Sequence, residues 1–365
     1  MSQIQRIATN LSDGRDLIYF NDAGSSLGLE RKADQREAAP RPDVAQMRLD
    51  SLTAEWVSVA AARQNRAFLP PAHQCPLCPT TAQNLSELPD NFDVAVFENK
   101  SPSFGPNLLP TDDENYAVVP DLKLGEVRDS VGRCEVVVFS PEHEGSLASQ
   151  PVNRVRTIIE AWTDRTDNLQ RLNGVRQVFP FENRGQEIGV TLHHPHGQIY
   201  AYPYVTPRTT RLISSIERFG ADLFAQTLAF EQAGERVLVR GEHFTAYVPF
   251  AARWPIEVHL LPHRHVHNFV ELSDEERDEL AAIYHRILTA LDRLYDSPTP
   301  YISAWHQAPL VAAGTNVRLQ LQITSPRRAA DKLKFLAGSE SAMGAFIADL
   351  PPETTAALIR EAMSR

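Results

Sequence analysis

The feature that most narrows the fold is an order of elements that occurs twice. In the first half, "CEVVVFS" (134–140) reads as a buried strand by its β-branched apolar run. His143 follows, and a helix is expected from Pro151, a residue suited to a first turn. Val155, Ile158, Ile159 and Trp162 line one face of that helix. In the second half, "IEVHLLP" (256–262) is the strand and His265 follows it. The helix is "LSDEERDELAAIYHRILTALDRLY", with Ser273 and Glu276 as a capping box. Leu280, Ile283, Ile287, Leu291 and Leu294 form its apolar stripe. Glu135-Val136 precedes His143 by the same interval as Glu257-Val258 precedes His265. Each half then closes on an alternating polar strand: His194, His196, Gln198 in one, Gln320, Gln322, Thr324 in the other. Two segments can share elements by chance, but strand, histidine, helix and polar strand all keep their order. The expectation is a tandem duplication of α+β domains, antiparallel sheets with flanking helices, over residues 1–205 and 206–365.

Further strands are expected at "DLIYF" (16–20), "EWVSVAA" (55–61), "FDVAVFE" (92–98), "FTAYVPF" (244–250) and "LQLQIT" (319–324). The stretch 23–45, rich in Gly, Ser, Ala, Pro and charge, reads as an irregular loop. A chain of 365 residues can bury one large core or two medium ones. Its net charge of -10 argues against nucleic acid or an anionic membrane as the main partner. The first twenty residues hold no apolar run of signal-peptide type. No window approaches the roughly 18 apolar residues of a membrane span. The expected location is the cytoplasm.

Three cysteines are present. In a reducing compartment the Cys75-Pro-Leu-Cys78 pair points to metal or redox chemistry. A redox pair of the thioredoxin type would open a helix, whereas these cysteines are flanked by prolines and suit a turn. Two thiolates at this spacing can reach one tetrahedral ion. Cys134 sits in an apolar strand, so histidines must supply the other two ligands, and His143 and His194 are the best placed. In "TLHHPHGQIY" (191–200), Pro195 pushes His194 into extended conformation. Strand alternation then sets His194, His196 and Gln198 on one face, and His193, as a packing residue, on the other. Gly197 leaves room for a ligand or another backbone. His194 can bind metal while His196 stays available as a nucleophile towards phosphorus. Gln198 can donate a hydrogen bond to a phosphoryl oxygen without offering a titratable proton.

"HPHGQ" (194–198) together with "CPLC" (75–78) resembles the galactose-1-phosphate uridylyltransferase family of the histidine-triad superfamily. Further matches are "EWVSVAAARQNR" (55–66), "FSPEH" (139–143), "FENRG" (181–185), "RWPIEV" (253–258), "WHQAP" (305–309) and "KFLAGSE" (334–340). The resemblance implies histidine-triad-like domains and a double displacement in galactose metabolism. His196 would attack the α-phosphorus of UDP-glucose, release glucose 1-phosphate, and pass the uridylyl group to galactose 1-phosphate. It implies Arg63 and Arg66 on phosphates, and Asn99, Asn183, Gly189, Thr191 and Gln198 around the nucleotide. Lys334, Phe335, Gly338 and Glu340 would face the sugar. A homodimer with active sites at the subunit interface is implied too. Zinc would sit on Cys75, Cys78, His143 and His194 as a structural ion.

Departures from the family pattern sharpen the reading. Some members carry a second metal on a glutamate and three histidines. Here His306 remains, Gln320 and Gln322 stand at two histidine positions, and Leu212 falls near the glutamate. Amides are poor ligands for a transition metal, so one metal per chain is expected. Lys100 and Ser339 also differ from some members. Two rivals remain: a related phosphorylase acting on ADP-glucose, and a zinc-stabilised binding protein without activity.

Overall fold

The computed structural model describes residues 3–38, 40–65, 68–118, 121–310 and 316–365, residue 65 by its backbone alone. Eleven strands form one continuous sheet among the described residues. The first half contributes β1 (Gln5–Asn10) and β2 (Asp16–Asn21). A separate small sheet holds β3 (Gln46–Asp50), β4 (Glu55–Val59) and, later in the chain, a short strand named below. The large sheet continues with β5 (Val94–Glu98). After β6 (Val127–Asp129), which completes the small sheet, come β7 (Arg133–Val138), α1 (Val152–Leu169), β8 (Gln177–Arg184) and β9 (His196–Tyr202). The second half opens with α2 (Pro207–Phe219) and α3 (Leu223–Gln232). It continues through β10 (Val237–Arg240), β11 (Phe244–Tyr247), β12 (Ile256–Pro262), α4 (Asp274–Asp292), β13 (Tyr301–His306) and β14 (Gln320–Ser325). A hairpin, β15 (Arg327–Ala329) and β16 (Lys332–Leu333), leads to α5 (Gly338–Met343) and α6 (Pro352–Ser364).

The spatial order is β1-β2-β5-β7-β9-β8-β13-β14-β12-β11-β10. In this sheet the first half runs four strands, a long helix and two strands, the second three strands, a long helix and two strands, and in each the last two strands exchange places in space. The halves meet where β8 pairs antiparallel with β13, Phe181 opposite Ala304. The duplication expected from the sequence is therefore present, as two halves of one sheet.

α1 and α4 pack on one face of this sheet and on each other. Val155, Ile158, Ile159 and Trp162 of α1 are fully buried there, as are Leu280, Ile287 and Leu291 of α4. The rings of Trp162, Phe269, Tyr284 and Trp305 cluster at the seam, with centroids 5.0–6.2 Å apart. The capping box forms: the Glu276 amide donates to Ser273 Oγ at 3.2 Å, and the Ser273 amide to Glu276 Oε2 at 2.8 Å. Pro151 is the N-cap, one residue before α1. The 23–45 stretch carries no helix or strand among its described residues.

Strand parity corrects two equivalences drawn from spacing. Glu135 faces the helices and holds Arg165 of α1 at 2.8 and 2.9 Å. Glu257 faces the opposite side and bonds His259 and Gln322. One residue of slip changes the face of a strand, so equal intervals to a histidine did not mean equal positions. Register also pairs Phe181 with Gln198 and Ala304 with Gln322. His196 therefore corresponds to Gln320, and Gln198 to Gln322.

Candidate active site and metal centre

The sheet face opposite α1 and α4 carries the polar groups. β9 begins at His196, and from there alternation holds: Gly197, Ile199 and Ala201 are buried towards the helices, while His196, Gln198, Tyr200 and Tyr202 face the other way. His194 lies in a bend before the strand rather than in the row with His196. It is 1% exposed. His193 is exposed and contacts Gln186 at 3.0 Å, so it is not the packing residue expected. Gly197 answers a packing need, not a ligand: a Cβ there would lie 2.8 Å from the Phe139 ring and 2.9 Å from the Phe181 carbonyl oxygen.

Cys75, Cys78, His143 and His194 converge, with one ligand atom from each lying within 4.8 Å of all the others. Cys78 Sγ is 3.5 Å from both His143 Nδ1 and His194 Nδ1, and Cys75 Sγ is 3.8 Å from His194 Nδ1. A tetrahedral zinc with bonds of about 2.3 Å to sulfur and 2.0 Å to nitrogen places such atoms about 3.5 Å apart. The donor set therefore fits a divalent ion. The turn is preformed: the Leu77 amide donates to Cys75 Sγ at 3.4 Å, and Asn84 Nδ2 holds the Cys75 carbonyl at 2.9 Å. His194 Nε2 donates to the Ser140 carbonyl at 2.8 Å, which leaves the Nδ1 lone pair for the cluster. Burial, with little help from neighbouring histidines, holds the His194 imidazole at about 4, hence neutral.

The cluster and His196 are joined through one backbone. His196 Nδ1 donates to the carbonyl oxygen of His194 at 2.7 Å. That bond fixes the tautomer with the lone pair on Nε2. Two residues on, Gln198 is followed by Tyr200, whose hydroxyl donates to Gln198 Oε1 at 3.4 Å. Arg63 in turn donates to Tyr200 Oη at 3.3 Å and to Ser103 Oγ at 2.7 Å. Arg63 thus reaches the His196 strand of its own chain. Arg66 lies outside the described residues. Neither Tyr200 nor Ser103 was singled out from the sequence. Continuing the period-2 row one step past Gln198 would have found the tyrosine.

The remaining expected residues fall in two places. Asn99 follows β5 and its side-chain oxygen accepts from the Ser101 amide at 2.9 Å; Asn183 is on β8, in step with Phe181. Gly189 closes a short 3-10 turn at φ 84°, and the Thr191 carbonyl accepts from Leu69. Lys334 and Glu340 instead lie in the C-terminal segment and pair with each other at 3.4 Å. Lys334 also donates to the Ile347 carbonyl. Phe335 is 73% exposed, and Gly338 starts α5.

At the place of the second metal, amides and acids bond one another. His306 Nε2 meets Gln322 Oε1 at 3.3 Å, and Gln322 Nε2 donates to Glu257 at 2.8 Å. His259 Nε2 donates to Glu257 at 2.9 Å. Burial, then the charge of Arg208, hold His306 down to about 3. Leu212 packs into a small apolar cluster beside them.

Two duplicated halves sharing one antiparallel sheet, with a pinned histidine at the mouth of a strand beside a cysteine-histidine cluster, define a duplicated α+β class of protein. Residues 35–206 match the family described as galactose-1-phosphate uridyl transferase, N-terminal domain, and residues 210–364 match its C-terminal domain. A galactose-1-phosphate uridylyltransferase of Streptomyces lividans is 40% identical, over 84% of this chain and 81% of that protein. One of Thermotoga maritima is 36% identical, over 87% and 98%. A solved structure of a uridylyltransferase superposes with TM-score 0.75 at 31% identity, covering 87% of this chain and 98% of that one. The chain belongs to the galactose-1-phosphate uridylyltransferase family. An ADP-glucose phosphorylase of Arabidopsis thaliana shares the fold, with TM-score 0.66 at 24% identity. No helix among the described residues is long and apolar enough to cross a membrane.

Proposed function

We propose that the protein moves a uridylyl group from UDP-glucose to galactose 1-phosphate through His196. The observation that carries this is the bond from His196 Nδ1 to the His194 carbonyl. It presents Nε2 as the nucleophile, beside an amide that offers donors. Nε2 forms a bond to the α-phosphorus, and the bond to the β-phosphate oxygen breaks and releases glucose 1-phosphate. A phosphate oxygen of galactose 1-phosphate then attacks the same phosphorus, Nε2 leaves, and UDP-galactose forms. Gln198 Nε2 donates to a non-bridging oxygen as charge builds there. Arg63 adds positive charge close by, and Asn99, Asn183, Gly189 and Thr191 line the nucleoside side.

Intact-protein mass spectrometry after incubation with UDP-glucose tests this. We expect an added uridylyl group on the parent and none on His196→Ala. An unmodified parent, or labelling by ADP-glucose in place of UDP-glucose, would overturn the reading.

The Cys75, Cys78, His143 and His194 set would hold zinc, which when bound supplies rigidity to the backbone that aims His196. One metal per chain is the expectation, since the Gln320 and Gln322 amides are already bonded to His259 and Glu257. Elemental analysis should find about one equivalent of zinc; two would refute it. We divide the chain into units 1–205 and 206–365. We also propose a homodimer in which Lys334, Phe335, Gly338 and Glu340 serve the partner's site. The exposure of Phe335, Met343 and Ile347 on one segment supports it.

A further inference from the structure

A cavity of about 860 Å³ opens on the C-terminal half of the same sheet face, between the sheet and α2 and α3. Gln320 and Gln322 form part of its floor, at the positions that His196 and Gln198 hold in the other half. Arg208 and Arg253 stand on its polar side. Both are solvent-exposed, at the rim of the cavity. Among the described residues Arg208 has no hydrogen bond or ion pair, and the Arg253 guanidinium has only the Phe346 ring, at 5.5 Å. Glu257, the nearby acid, is occupied by His259, Gln322 and the Arg253 amide at 2.7–2.9 Å. Desolvation and the like charge of Arg253 hold Arg208 below the usual arginine value, with the charge of Glu257 acting the other way.

The cavity lining is also aromatic. Phe219, Phe230 and Phe250 line it and are 50%, 55% and 64% exposed. Phe230 and Phe250 meet edge to face at 5.6 Å, and the Arg236 guanidinium lies over both rings at 5.5 and 5.2 Å. Guanidiniums without hydrogen-bond partners and phenylalanine rings lining one cavity match a phosphate joined to a flat body.

We propose that this cavity is a second ligand site that binds a nucleoside monophosphate, its phosphate on Arg208 and Arg253 and its base on Phe230 and Phe250. Binding there leads to no transfer. Glutamine replaces the nucleophile, and both nitrogens of His259 are engaged, one by Glu257 at 2.9 Å and one by Gln320 at 3.5 Å.

Equilibrium dialysis of the full chain, with its metal, against UMP tests the site. The parent should bind two equivalents per chain, one beside His196 and one here. Arg208→Ala with Arg253→Ala should remove one equivalent, or weaken it at least about tenfold, with uridylyl transfer unchanged. Phe250→Ala should weaken UMP but not inorganic phosphate. Melting temperature and metal content confirm that each variant is folded. If the folded double variant binds as much UMP as the parent, the site does not exist. If inorganic phosphate binds the site as tightly as UMP, the nucleoside assignment fails. Were the transferase reading wrong instead, the parent would bind one equivalent and the double variant none.

Discussion

Tyr200 sits where two requirements of the reaction meet. Its hydroxyl receives a hydrogen from Arg63 and gives one to Gln198 Oε1. An amide whose oxygen is held must turn its Nε2 hydrogens outward, towards the phosphoryl oxygen it has to donate to. Tyr200→Phe should lower kcat about fivefold, the worth of one hydrogen bond near 1 kcal/mol. KM for UDP-glucose should change little, and an unchanged kcat would sink the assignment. A second residue acts on stability. Glu182 is buried between the central strands and accepts from the Tyr301 hydroxyl at 3.0 Å. Burial pushes its carboxyl up to about 7, against 4.5 for the free group. Between those values the unfolded chain has lost the proton and the folded chain keeps it, so stability falls as pH rises from about 4.5 to 7 and then levels. Glu182→Gln keeps an acceptor for Tyr301 without the charge. Its melting temperature relative to the parent should be higher at pH 8 than at pH 4.5; an equal difference at both would contradict the shift.

At the scale of elements, β9 shows how a strand can be crowded on one side and reactive on the other. Gly197 presses against the Phe139 ring and the Phe181 carbonyl, and its neighbours His196 and Gln198 face the open side. Gly197→Ala should destabilise the fold by about 1–3 kcal/mol, the usual cost of overpacking, and shift the strand that carries His196. Thermal melting with a parallel activity assay checks this, and a variant of parental stability would show the contact to be slack. The strand itself was legible in the sequence, because period 2 and Pro195 are local signals. The place of His194 was not. It leaves the alternation in a bend set by contacts with Ser140, Cys75 and Cys78, all distant in sequence.

For the whole molecule, the decisive contact is β8 with β13, which joins the halves into one sheet. Both the His196 site and the C-terminal cavity then open on a single face, while α1 and α4 share the other. The segment bearing Phe335 projects apolar side chains to solvent, unlike the helices that cover the core. For the proposed homodimer, Phe335→Asp should yield monomers in analytical ultracentrifugation and cut uridylyl transfer at least about tenfold, as loss of an anchor at an interface does. A dimer of parental activity would remove that segment from the interface.

Local chemistry alone determined much of this protein. Apolar periodicity placed β2, β4, β5, β7, β11, β12, β14 and both long helices but not β8 or β13, Ser273 and Glu276 marked a helix start, and residue types picked out Cys75, Cys78, His143, His194 and His196. Tertiary structure decided which face each strand residue meets. Spacing equated Glu135 with Glu257, yet one bonds a helix and the other the opposite side of the sheet. It also decided that Arg63 reaches Tyr200, that Arg208 and Arg253 line one cavity, and that Glu182 is buried. These depend on register between strands far apart in the chain, and a one-residue change in pairing reverses every face. Periodicity within a segment carries no information about that pairing.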